Sequence, residues 1–302
     1  MTGNNNPRPG GAGACLPGRT VARCLQYALD PCLFAQEALA FTPDATQSRV
    51  LRDNAHRSIL NCNRQWGKST LSAIRLAHRA IFQPGSLSLI LAPSERQSAE
   101  TLRKVRTFLN KLELPIARDG ANRHSLVLPD CGDSRIVALP SSDDTVRGFS
   151  AVSLLVVDEA SRVADPLYNA LVPSLAVSRG DITLISTPFG KRGFFYNEFT
   201  NNAPSPAWKR YTVPASQCPR IDPAFLEEER ASKGEEYFAQ EYECQFVEDG
   251  RFLFSDADFK RLFKSDVKPI EVNRNDPAWS CVMKPVKPQP PTEWPNIYAR
   301  EE

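Results

Sequence analysis

The residues Asn61-Cys62-Asn63-Arg64-Gln65-Trp66-Gly67-Lys68-Ser69-Thr70 carry a glycine, a lysine and two hydroxyls in the order of a phosphate-binding loop. In such a loop backbone N–H groups at a helix N-terminus point at phosphate oxygens, and the Lys68 ammonium reaches the β and γ groups. The Ser69 hydroxyl is placed to ligate magnesium, Gly67 lets the backbone approach, and Thr70 joins the nucleotide-contacting set. The usual first glycine of GxxxxGK[ST] falls at Cys62, so the motif is incomplete. Taken alone, Gly67-Lys68-Ser69 equally suits an ordinary helix start.

A second group is Asp158-Glu159, which follows the apolar run Leu154-Leu155-Val156-Val157. A buried strand that ends in two carboxylates suits phosphoryl transfer: Asp158 holds magnesium through water, and Glu159 orients and polarises the attacking water. A third is Ser186-Thr187-Pro188 at the end of another apolar run. Its hydroxyls can bond the γ-phosphate or the attacking water, or simply form a turn closed by Pro188 and Gly190. The Gln47 amide can pair with an adenine edge, or be solvated. A phosphoryl-transfer transition state often needs a guanidinium, and Arg64 or Arg147 can supply it, although each can equally be a surface charge.

These residues need elements to hold them. Apolar spacing predicts a helix over 21–39, with Asp44 capping a second that carries Gln47, Val50 and Leu51. Strands are expected at 58–62, 87–92, 154–157 and 182–185, helices at 68–82 and 94–112, and a hairpin joining 125–128 to 135–139. A strand over 208–213, a helix begun by Asp222-Pro223 and a helical stretch at 237–242 complete the list. Continuous apolar strands alternating with helices imply a mostly parallel α/β sheet flanked by helices. Residues 1–20 read as a flexible arm, 21–250 as the folded domain, 251–270 as a linker and 271–302 as a proline-rich tail.

Composition narrows the class. The 302-residue chain has 41% hydrophobic and 24% charged residues and a formal net charge of +2, values of a globular protein that leave a polyanionic partner open. No apolar run reaches membrane-spanning length, and the N-terminus lacks the apolar core of a signal peptide, so the cytosol is expected. Eight scattered cysteines form no CxxC pair, which argues against zinc or a disulfide framework.

Together these motifs resemble the ATPase part of the tailed-phage terminase large subunit, over about Phe41 to Phe254. The resemblance rests on Arg64 to Thr70, on Val146-Arg147-Gly148-Phe149-Ser150 ahead of Leu154 to Ala160, and on Ser186 to Gly190 with Gly193-Phe194-Phe195-Tyr196. It implies a P-loop fold of the additional-strand, catalytic-glutamate type and ATP hydrolysis with Mg2+ that drives double-stranded viral DNA into a procapsid. It also implies Gln47 as the adenine contact, Glu159 as the catalytic carboxylate, Ser186-Thr187-Pro188 as the coupling element and Arg147 as an arginine acting on a neighbouring subunit. The partners so implied are double-stranded DNA, the portal protein, the terminase small subunit and further copies in a ring, in the host cytoplasm and at the procapsid portal.

The family's nuclease domain is not expected in the short proline-rich remainder. Lys191-Arg192, Lys209-Arg210 and the run Lys260, Arg261, Lys264, Lys268 are candidate phosphate contacts, or solvated faces. A helicase-like DNA-dependent ATPase, and an inert remnant acting in assembly or DNA binding, are the alternatives.

Overall fold

A computed structural model describes residues 16–120, 122–139, 148–201 and 207–248. These belong to one unit, Met1–Arg251; a second, Phe252–Glu302, lies outside the described residues. The expected linker, tail and basic run from Lys260 to Lys268 therefore lie outside them too, as do Arg147 and residues 1–15.

Thr20 caps α1 (Val21–Leu29) by accepting from the Arg23 N–H. The expected arm ends sooner than residue 20, because Leu16 is buried and its N–H donates to Cys24 Sγ. Asp30 both stops α1 and caps α2 (Pro31–Leu33), which passes into a π-helical turn, Phe34–Ala38. The helix expected over 21–39 is thus broken by a side chain that offers the backbone an alternative partner. Asp44 and Gln47 form a reciprocal capping box on α3 (Ala45–Arg52).

β1 (Arg57–Cys62) runs through the loop into α4 (Lys68–Phe82), and β2 (Leu87–Leu91) into α5 (Glu95–Lys111), capped by Ser94. β3 (Ala117–Asp119), β4 (Asn122–Leu128) and β5 (Ser134–Ala138) follow, the last two joined at Pro129–Cys131 and Gly132. Then come β6 (Leu154–Asp158), α6 (Asp165–Leu171), β7 (Asp181–Ser186), α7 (Gly193–Thr200) and β8 (Lys209–Val213). α8 (Pro223–Lys233) and α9 (Glu235–Glu241) form a helical pair hinged at Gly234.

The eight strands make one sheet in the order β3-β4-β5-β2-β6-β7-β1-β8. β1, β2, β5, β6, β7 and β8 pair in parallel, while β3 and β4 add an antiparallel edge. Alternation puts Leu60, Val156 and Ile185 on one face, packed with α4 and α5, and Ile59, Val157 and Leu184 on the other, packed with α6 and α7. β7 lies between the strand feeding the loop and the strand feeding the acids, and its register aligns Asn61 with Ser186 and Asp158 with Ile185. All three motifs therefore emerge at one edge, the carboxyl ends of parallel strands. Gly180, entering β7, is fixed by packing: a Cβ there would sit 2.0 Å from the Val152 carbonyl oxygen.

Candidate functional site

The loop is held from behind. Gly67 has φ +94°, a left-handed conformation that suits glycine, and starts α4. The Trp66 side chain is fully buried, and its indole Nε1 donates to Asp44 Oδ2 at 3.1 Å. Its carbonyl accepts from Gln47 Nε2 at 2.9 Å and from Arg220. Gln47 is also fully buried, with Oε1 accepting from the Asp44 N–H at 3.0 Å. In this conformation Gln47 therefore braces the loop, and its amide does not present an open edge to a base. On the other side Asn63 donates through its backbone N–H and its amide to the Val213 carbonyl, tying the loop to β8.

The front of the loop is looser. Lys68 Nζ lies 3.4 Å from Glu159 Oε1 and 3.4 Å from the Asn63 carbonyl, longer than the roughly 2.7–2.9 Å of a strong charged hydrogen bond. Ser186 donates to Glu159 Oε2 at 3.4 Å, and its Oγ accepts from the Ser161 N–H at 3.2 Å. Glu159 stands at φ 49°, ψ 44°, a left-handed conformation that is strained for a non-glycine residue. Asp158 is 5% exposed and accepts from Thr101 Oγ1 and from the Glu159 N–H, with the Ser69 hydroxyl nearby. Burial, then the Glu159 charge, push its carboxyl above the ordinary value, and Lys68, Thr101 and Ser69 oppose them only in part.

Lys68, Ser69, Gly67, Glu159, Thr187 and Arg64 line one cleft of about 380 Å³. Gln97, Lys104 and Arg162 also face it. A larger recess of about 590 Å³ lies between α5 and the β3–β4 edge, away from these groups, and the chemistry decides for the cleft. Thr70 sits in the first turn of α4, where its N–H is bonded to the Gly67 carbonyl. Arg64 pairs with Glu241 at 2.7 Å, and Arg162 reaches the same carboxylate at 3.5 Å. Glu241 is 2% exposed, so α9 supplies one buried charge to arginines on both sides of the cleft.

Thr101, Ser161, Arg162 and Glu241 escaped the sequence reading. Thr101 had a local signal, a hydroxyl on the buried stripe Ser98, Leu102, Val105 and Leu109. Glu241 shares a face with Phe238, and a carboxylate there is the corresponding sign; nothing local names its partners far upstream. Of the basic pairs, Arg210 is not a free phosphate contact: it donates to the carbonyls of Glu198, Phe199 and Asn201 and so caps the C-terminus of α7. Lys191 pairs with Glu248. Among the described residues no group of three His, Cys, Asp or Glu could hold a metal, and no helix is long and apolar enough to cross a membrane. A serine hydroxyl beside a buried carboxylate nonetheless fits magnesium, a hard cation that arrives largely coordinated by phosphates and water.

Residues 59–261 match a family model described as the terminase large subunit, T4likevirus-type, N-terminal. The terminase large subunit of Escherichia phage T5 is 27% identical over 224 residues, 71% of this chain and 50% of that protein. That of Thermus phage G20c is 26% identical over 260 residues, 74% and 52% respectively. The chain thus spans about half the length of the curated relatives it matches. Among solved structures, the large terminase ATPase domain of Thermus phage P74-26 superposes with a TM-score of 0.63 at 22% identity, covering 70% of this chain and 97% of that one. The large terminase of another thermophilic bacteriophage, in complex with ADP, gives 0.57 at 12% identity, covering 74% and 53%.

Proposed function

Because this chain belongs to the terminase large-subunit family, we propose that it hydrolyses ATP with Mg2+ and thereby drives double-stranded viral DNA into a procapsid. The observation that carries the reading is the convergence of Lys68, Glu159 and Ser186 from three different strand ends, with Glu159 reached by both of the others at 3.4 Å. Lys68 and the N–H groups opening α4 hold the β and γ phosphates. Ser69 and Asp158 would hold magnesium, which when bound neutralises charge on the phosphate oxygens.

Glu159 orients the attacking water and takes up its proton. Its long contacts to Lys68 and Ser186 leave it free to exchange them for that water. Ser186 touches Glu159 and Thr187 lines the cleft, which supports their reading as the element that passes hydrolysis on to DNA movement. Arg64 supplies cationic charge in cis, and Arg147, outside the described residues, is proposed to act on a neighbouring subunit of a ring. Gln47 contacts adenine only if its amide leaves Trp66 and Asp44. Portal protein and terminase small subunit are the proposed partners, in the host cytoplasm and at the procapsid portal.

Steady-state phosphate release, with and without double-stranded DNA, tests the reading beside Lys68→Ala and Glu159→Gln. Both substitutions are expected to abolish turnover, and equal release by wild type and Glu159→Gln would refute the assigned roles. Unwinding of a forked duplex without packaging would point to a helicase instead.

A further inference from the structure

The amino ends of the same strands, opposite the cleft, enclose a second recess of about 330 Å³. α4 reaches both: Lys68 opens its first turn, and Arg75 and Arg79 face the far recess roughly 10 and 16 Å further along the helix axis. Arg75 Nη1 is buried and has no hydrogen-bond partner among the described residues. A buried guanidinium nitrogen without an acceptor is costly, because it has given up water without gaining a partner.

The two carboxylates of the recess, Asp181 and Asp53, attract Arg75 through space but accept no hydrogen bond from its Nη1. Asp53 accepts from the Tyr211 hydroxyl at 2.6 Å and from the Ala55 N–H at 3.0 Å. Asp181 is engaged by His56 Nδ1 at 2.7 Å and by Arg79. His78, whose Nε2 donates to the Tyr27 carbonyl, is pushed down to about 4 by burial and adds no charge at neutral pH. Arg179, exposed on the rim, is held at φ 49° immediately before Gly180, a conformation that costs energy and recurs where a side chain is aimed for a purpose. Three arginines against two committed aspartates leave the recess one positive charge in excess.

We propose that this recess is an anion site for a phosphate group, bound by the guanidinium groups of Arg75 and Arg179. Several oxygens are needed to satisfy two such forks, which favours phosphate over a halide. The group can be free inorganic phosphate or a phosphate of a nucleic-acid backbone.

Calorimetric titration of the full chain with inorganic phosphate, its nucleotide cleft saturated with ADP, tests the proposal. Wild type should bind phosphate, and Arg179→Ala and Arg75→Met should each weaken it at least about tenfold, with ADP affinity unchanged. Arg179 is exposed, so its variant carries the test should Arg75→Met fail to fold. Undiminished phosphate binding in a folded variant, or none in wild type at millimolar phosphate, overturns the proposal. Duplex DNA separates the sources: binding that falls in parallel with phosphate assigns the backbone, whereas duplex binding unchanged beside lost phosphate binding assigns the free anion.

Discussion

The two sides of the loop between β1 and α4 are built on opposite principles. Behind it, buried Trp66 and Gln47 bond to one another and to half-buried Asp44 at 2.9–3.1 Å, and exposed Arg220 closes the network on the Trp66 carbonyl. In front, Lys68, Glu159 and Ser186 stand at 3.4 Å, Glu159 holds a strained backbone, and Asp158 is buried beside a like charge. Satisfied networks rigidify, while incompletely satisfied ones leave room for a ligand to supply the missing partners. The contrast teaches that the loop's shape is fixed by residues behind it, while the groups facing the cleft are held only by long contacts.

That division predicts different losses for different substitutions. The largest effect should be that of Glu159→Gln, a drop in turnover of about 10²- to 10⁴-fold with little change in Tm. A Tm loss matching that of a core mutation would erase the distinction. Trp66→Ala should lower stability by about 3–5 kcal/mol, read by denaturant unfolding, because it empties a fully buried site and removes the indole donor from Asp44 Oδ2. Gln47→Leu should cost about 1–3 kcal/mol in the same assay, since it leaves the Asp44 N–H unpaired. Gly67→Ala should cost about 1–2 kcal/mol for its left-handed backbone, with its Cβ meeting Gln47 Nε2 at 3.3 Å.

The smallest effect sharpens the front side. A carboxyl whose folded pKa is raised stabilises the fold below its ordinary value of 3.8, and that contribution is lost as pH rises through the higher folded pKa. At neutral pH Asp158→Asn should therefore melt above wild type in the absence of nucleotide, by an amount that shrinks as pH falls toward 3.8. A constant difference across that range would show that burial of Asp158 carries no penalty.

Much of this architecture was legible in the chain. The apolar runs at Leu154 to Val157 and Ile182 to Ile185 are covered on both faces, and the caps at Asp44, Ser94 and Asp222 sit where helices begin. Their signals are local, so periodicity and cap chemistry suffice. Strand β3 was missed because three residues leave too short a pattern, and helix α6, opened by Ala164 without a capping side chain, was missed too. At the candidate site, Asp158, Glu159 and Ser186 stand out by type at strand ends and Lys68 and Ser69 at a helix start. Glu241 does not, because its partners Arg64 and Arg162 are brought to it only by the path of β8 and the α8–α9 pair. Gln47 shows the converse: an amide read for a base was taken up by its own helix cap and by Trp66.

Gly180 leaves a mark on what this chain can become. With the Val152 carbonyl 2.0 Å from where any Cβ would stand, a change even to alanine or serine has no room to be tolerated unless β6 and β7 part. The pair that carries Asp158 and Ser186 would part with it. A saturation library should therefore be nearly silent at position 180 while remaining permissive at exposed Val177 nearby, so this one residue guards the spacing of two motifs it never touches.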